Sequence, residues 1–336
     1  MNHAATLSDQ LLHSAVEAQA SDIHFYPFSN HTNIYFRILG ERLYYKKLPN
    51  SQYHLLLTYY KFTAGMDIGE TRKPQDGAVV HNDSGTPYSL RLSTLPVNQM
   101  ESLAIRILPQ HDKLPLEQLF LFPHQLAKIK SWLTNRAGII LFTGPTGSGK
   151  TTTLYALLQT ILKENSYQTI TLEDPIEKDI DDILQVQINE KAGITYQTGL
   201  KAALRHDPDI LMIGEIRDQQ TASFAFEASL TGHLVLSTLH AKDAVGTLQR
   251  LMEMGLSSVD LQQSLIAVAA LELLPLRLKE SVNRRAAIME LLDGRPLEKI
   301  LNGEEKSKSP TFQSFDSLRK KAFAYGFLPQ NTFQKK

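Results

Sequence analysis

GIILFTGPTGSGKTTTLYALL, residues 138–158, decides how the rest of the chain is read. The opening GIILF, residues 138–142, is a short apolar run of the kind that forms a buried strand. After the glycine-rich turn, Leu154, Leu157, Leu158 and Ile161 recur at helical spacing. Strand, glycine loop and helix together are the context that a phosphate-binding loop requires. Gly144, Gly147 and Gly149 let the backbone curl so that successive N–H groups point inward at a phosphate. Pro145, Thr146 and Ser148 complete the curl, and the following helix adds its positive N-terminal end. Lys150 is placed to reach the outer phosphates, and Thr151, followed by Thr152, to offer a hydroxyl to Mg²⁺.

The chain has 336 residues, room for two domains of ordinary size. Lys plus Arg and Asp plus Glu number 35 each, so no charge imbalance points to nucleic acid or an anionic membrane. There is no cysteine, which excludes disulfides and cysteine-based metal or redox sites, and no zinc is expected. Residues 1–10 are polar and do not read as a signal peptide. The longest apolar run, residues 265–276, is too short to span a bilayer and contains Glu272. A soluble protein is expected, with any membrane association made through a partner.

Working outward from the loop, residues 1–109 read as a small α+β domain. A helix over 7–20 is followed by strands over 22–26, 32–39 and 41–45, a helix over 52–64, and strands over 76–80, 87–94 and 102–108. Residues 110–114 read as an interdomain linker, and 115–302 as an α/β domain. There the strands at 138–142, 169–172, 210–213 and 234–237 alternate with helices at 151–163, 198–205 and 219–230. Such alternation implies a parallel sheet covered on both faces. Further helices are expected over 244–253 and 261–270, and a returning strand over 284–292. Residues 303–336 form a polar linker and a last helix at 315–323, which reads either as a docking helix or as a cap on the α/β domain.

Three further segments carry acids or polar groups to strand ends, where ligands of parallel sheets sit. TITLEDPIE, residues 169–177, places Glu173 and Asp174 after a strand. PDILMIGEIRD, residues 208–218, is an apolar strand ending in an acid, the arrangement that holds Mg²⁺ directly or through water, with Glu215 in that place. TGHLVLSTLHA, residues 231–241, delivers Ser237, Thr238 and His240 to the same edge. His233 reads equally as a structural histidine, and the histidines lack metal-ligand spacing.

These four segments together resemble the secretion ATPase superfamily that drives type II secretion and type IV pilus assembly. GPTGSGKTTTLYA, LEDPIE, LMIGEIRD and TGHLVLSTLHA stand as its Walker A, Asp, Walker B and His boxes, in that order. ASDIH at 20–24 and LRLSTLP at 90–96 are similar to its N-terminal domain. The resemblance covers roughly residues 11–292. It implies a RecA-like P-loop domain with a smaller PAS-like N-terminal domain, and ATP and Mg²⁺ as cofactors. It implies a homohexamer, nucleotide between the two domains of a subunit, and a cytoplasmic location on the inner face of the cell membrane. The membrane contact would be a polytopic platform protein. By position, Glu173 is the base that polarises water, Glu215 helps hold Mg²⁺ and His240 senses the γ-phosphate. Arg91 and Arg106 match arginines that reach nucleotide phosphates, and Arg205 and Arg217 match arginines near a neighbouring active site. A loose phosphoryl-transfer transition state gives such cations their use.

The chain departs from the family in having no four-cysteine module and in reading Met100-Glu101-Ser102 where a Gly-Glu pair is common. The extra N-terminal domain of larger members is not expected. Short, cysteine-free members resemble the competence-pseudopilus branch of Gram-positive bacteria, in which the motor serves DNA uptake. A secretion motor, a pilus extension or retraction motor, and a DNA-translocating ATPase are the other readings. Direct nucleic-acid binding is not expected, because the charge is balanced and the candidate arginines are already assigned to ATP.

Overall fold

The computed structural model describes residues 3–97, 100–109, 115–276, 285–303 and 312–328. The chain divides into two compact units, Met1–Asp112 and Lys113–Lys336. The expected linker at 110–114 and residues 304–309 of the second expected linker lie outside the described residues.

Unit 1 comprises α1 (His3–Glu17), β1 (Asp22–Pro27), β2 (His31–Ile38), β3 (Glu41–Pro49), α2 (Asn50–Thr63), β4 (Gln75–Asp83), β5 (Thr86–Val97) and β6 (Met100–Pro109). The strands form one antiparallel sheet in the order β3-β2-β1-β6-β5-β4. Strand side chains alternate between faces. Ile23, Phe25, Ile34, Phe36, Leu90, Leu92 and Ile105 therefore share one face, where they pack with Leu11, Leu12, Tyr53, Leu56 and Tyr60 of the two helices. The opposite face carries a cross-strand row, Arg42–Arg37–Asp22–Arg106–Arg91, one residue from each of five strands. Glu101, the departure noted in the sequence, is buried and pairs with the buried Lys61 ammonium at 2.6 Å.

Unit 2 comprises α3 (Leu116–Leu119), α4 (Pro123–Trp132), β7 (Gly138–Thr143), α5 (Lys150–Glu164), β8 (Thr169–Glu173), β9 (Leu184–Gln187), α6 (Tyr196–Ala203), β10 (Ile210–Ile213), α7 (Gln219–Leu230) and β11 (Leu234–Leu239). It continues with α8 (Ala244–Glu253), α9 (Ser258–Ser264), β12 (Leu265–Pro275), β13 (Arg285–Asp293), α10 (Gly294–Leu301) and α11 (Phe315–Ala324). The sheet order is β13-β12-β7-β11-β10-β8-β9. All neighbours are parallel except β12 and β13. Alternate residues of one strand enter different cores, as a sheet covered on both faces requires. Ile139 and Leu141 join the core formed with α6 to α11, while Ile140 and Phe142 join the one formed with α3, α4 and α5.

The helix expected over 261–270 is corrected: it ends at Ser264, and Leu265 begins β12. A strand buried on both faces is a continuous apolar run, and such a run does not by itself distinguish strand from helix. The last helix, α11, buries Phe315, Leu318 and Ala322 in the first of those cores, so it caps this unit. The buried carboxylate of Glu290 on β13 accepts from the backbone N–H of Phe315 at 2.8 Å and of Ala244 at 3.0 Å, serving the N-termini of α11 and α8 together. Because β7, β8, β10 and β11 are parallel, the turns after all four meet at one edge of the sheet.

Candidate active site

The loop after β7 is shaped by its glycines. Gly144 has φ +145°, and a Cβ there would lie 2.6 Å from Ser148 Oγ and 2.7 Å from the Leu271 carbonyl oxygen. Gly149, at φ +91°, turns the chain into α5. Pro145, Thr146 and Gly147 form an exposed tip, whereas Ser148 is buried with a hydroxyl that lacks a hydrogen-bond partner. Thr151 and Thr152 lie in the first turn of α5, Thr151 half-buried and Thr152 exposed. Lys150 is only 8% exposed. Its ammonium donates to the carbonyls of Gly144 at 2.9 Å and Pro145 at 3.1 Å. Burial lowers the pKa of Lys150, against the opposing pull of Glu215 and Glu177. A backbone curl, a buried hydroxyl without a partner and a dry ammonium fit a phosphate group.

From Lys150 a line of polar contacts crosses the sheet edge. His240 Nδ1 lies 3.5 Å from the ammonium, and His240 Nε2 lies 3.1 Å from Glu215 Oε1. Arg217 Nε donates to Glu215 Oε2 at 2.8 Å, and its other arm donates to Asp174 at 3.0 Å. The Glu215 bond raises the Arg217 pKa above its already high ordinary value. The turn carrying Glu215 is fixed by β11: Ser237 Oγ donates to the Ile213 carbonyl and Thr238 Oγ1 to that of Gly214, each at 2.7 Å. The structure thus joins Lys150, His240, Glu215, Arg217 and Asp174 within one unit.

Glu173 stands apart from this line. It ends β8, is 2% exposed and has both carboxylate oxygens engaged. Oε1 accepts from Thr171 at 2.5 Å and from Gln185 at 3.1 Å, and Oε2 accepts from the Tyr155 hydroxyl. The carboxylate expected as the base is thus oriented by Tyr155, Thr171 and Gln185. His233 sits at the opposite end of β11, 3.0 Å from Thr231 Oγ1 and 3.3 Å from the Ala228 carbonyl, a local structural role. Arg205, exposed, precedes β10 at that same far edge. Arg91 and Arg106 lie in unit 1 as cross-strand neighbours, with Arg106 Nε donating to Asp22 at 2.9 Å.

Tyr155, Thr171, Gln185 and Tyr196 were not foreseen. Burial and the neighbouring Asp174, Glu215 and Glu173 push the Tyr196 phenol up to about 12. Of these, only Thr171 carried a signal, since it lies two residues from Glu173 on the same strand face.

Residues 2–307 match the family described as Type II/IV secretion system protein. The chain belongs to this family. Among its relatives, Competence protein ComGA of Bacillus subtilis is 41% identical over 351 residues, covering 100% of this chain and 98% of the relative. Type II secretion system protein HxcR of Pseudomonas aeruginosa is 44% identical over 262 residues, covering 77% of this chain and 55% of the relative. In fold the chain is similar to the Legionella pneumophila ATPase DotB, with a TM-score of 0.79, 23% identity and coverage of 98% of this chain and 94% of that one. The chain is an ATPase. Among the described residues no helix is long and apolar enough to cross a membrane.

Proposed function

We propose that this chain hydrolyses ATP to power assembly of a competence pseudopilus for DNA uptake. It works as a cytoplasmic homohexamer against a polytopic membrane platform protein, and DNA is not its ligand. The observation that carries this reading is how much of this chain each relative matches. The competence relative aligns over 100% of it at 41% identity, whereas the secretion relative aligns over 77% of it.

At the site, Lys150 and the loop amides hold the phosphates. Thr151 and Glu215 are the oxygen ligands that suit Mg²⁺, which takes few protein ligands beside phosphate and water. The ion supplies charge neutralisation on the transferring phosphoryl group. Glu173, its carboxylate oriented by Tyr155, Thr171 and Gln185, is the base that polarises water. His240 stands between Lys150 and Glu215, where it registers a phosphate that draws the ammonium away. Arg217 holds Glu215 until nucleotide arrives. The PAS-like reading of unit 1 is supported by its antiparallel sheet with two helices on one face.

Deletion in the host, rescued with wild type or Lys150→Ala, tests the reading, with transformation, surface pili and protein secretion scored together. Loss of transformation, restored only by wild type, is expected. Normal transformation with lost secretion or excess pili would transfer the motor to another system. Stimulation of turnover by DNA at physiological salt would favour a translocase.

A further inference from the structure

We propose that Tyr155 is a positioning residue for hydrolysis, its phenol tying the helix that carries Lys150 and Thr151 to the acidic turn after β8. Tyr155 lies five residues beyond Lys150 on α5, about one and a half turns along the same rigid element. Its hydroxyl donates to Glu173 Oε2 and accepts from the Glu177 backbone N–H at 3.3 Å. The far side of the turn is held by Gln185 on β9. Its side chain donates to Glu173 Oε1 at 3.1 Å and to the Lys178 carbonyl at 2.9 Å, and accepts from the Ile180 N–H at 2.7 Å.

Tyr155 is 3% exposed, among apolar neighbours that a phenylalanine would satisfy equally. A buried hydroxyl without partners is costly, so the partners explain why the position bears one. Glu173 leads directly into Asp174, which holds Arg217, which holds Glu215. A displacement at the phosphate loop is thus carried by α5 through Tyr155 to Glu173, and from the next residue, Asp174, to Arg217 and Glu215. The proposal rests on ATP hydrolysis at this site.

The test uses the full chain and compares wild type, Tyr155→Phe, Gln185→Leu, the double variant and Lys150→Ala. Phosphate release, affinity for a fluorescent ATP analogue and thermal melting are read on each. Tyr155→Phe is expected to lower kcat by about tenfold or more, with KM and analogue affinity kept within about twofold. Because both side chains act on one carboxylate, the losses in the double variant fall short of their product. A phenol with only a structural role would lower the melting temperature and leave turnover per folded molecule unchanged, which overturns the proposal. Unchanged kcat with raised KM, or fully multiplicative losses, would also overturn it. Should Tyr155→Phe not fold, Gln185→Leu reads the same kcat–KM split from the opposite carboxylate oxygen. Turnover that survives Lys150→Ala would instead sink the assignment of hydrolysis to this site, an outcome separate from the failure of Tyr155.

Discussion

Lys150 lies at the end of the glycine loop, nearly buried, with its ammonium donating to the Gly144 carbonyl. Lys150→Ala is expected to abolish turnover, by about a hundredfold or more, while the protein still melts cooperatively. Phosphate release and a thermal scan check both parts. Gly144 answers to sterics instead. A methyl group there would press on Ser148 Oγ and the Leu271 carbonyl, at a φ that side chains avoid. Gly144→Ala should cost on the order of 2 kcal/mol in denaturant unfolding and weaken nucleotide binding as well. Gly147, with open space at its Cβ position, tolerates the same change sterically and meets only its backbone preference.

At the scale of elements, the connection between α8 and α11 runs through one buried carboxylate. Glu290→Ala removes the acceptor for the Ala244 and Phe315 N–H groups and should cost on the order of 3 kcal/mol, read as a lowered denaturation midpoint. Glu290→Gln keeps one acceptor oxygen and should cost less. How much of the fold was legible also differs by element. The loop, the acidic strand ends and α8 could be read because each carries a local signal: glycines, a terminal acid, an apolar stripe. The strand β12 could not, since its buried residues offer no period to separate it from a helix. The edge strand β9, four residues reading Leu-Gln-Val-Gln, has too little pattern to mark it. Tyr155 was invisible for another reason. Its partner Glu173 lies 18 residues away and meets it only once β8 is set against α5.

For the whole molecule, unit 1 has its own core, with two helices closed on one face of its sheet. Residues 1–112 produced alone should therefore fold and melt cooperatively, which circular dichroism would check. Its stability should also depend on pH through His24. Burial holds the His24 pKa below its ordinary 6.5, with Arg37, Arg42 and Arg106 acting in the same direction and Asp22 opposing them. Below that pH the unfolded chain takes up a proton that the folded one resists, so stability falls as pH drops under about 6.5 and returns above it. His24→Gln should flatten that slope. His13, raised by its bond to Asp83, contributes the opposite sign, and His13→Gln should steepen it.

The ammonium of Lys150 bonded to the carbonyls of its own loop has a consequence for cycling speed. Nucleotide enters by exchange: two bonds break inside the protein as new ones form to phosphate, so the net affinity is the difference and not the sum. The same two bonds re-form behind a departing product, which gives release a driving force of its own. A phosphate site built this way trades tight grip for rapid exchange, and each round of binding begins from a loop that has already closed on itself.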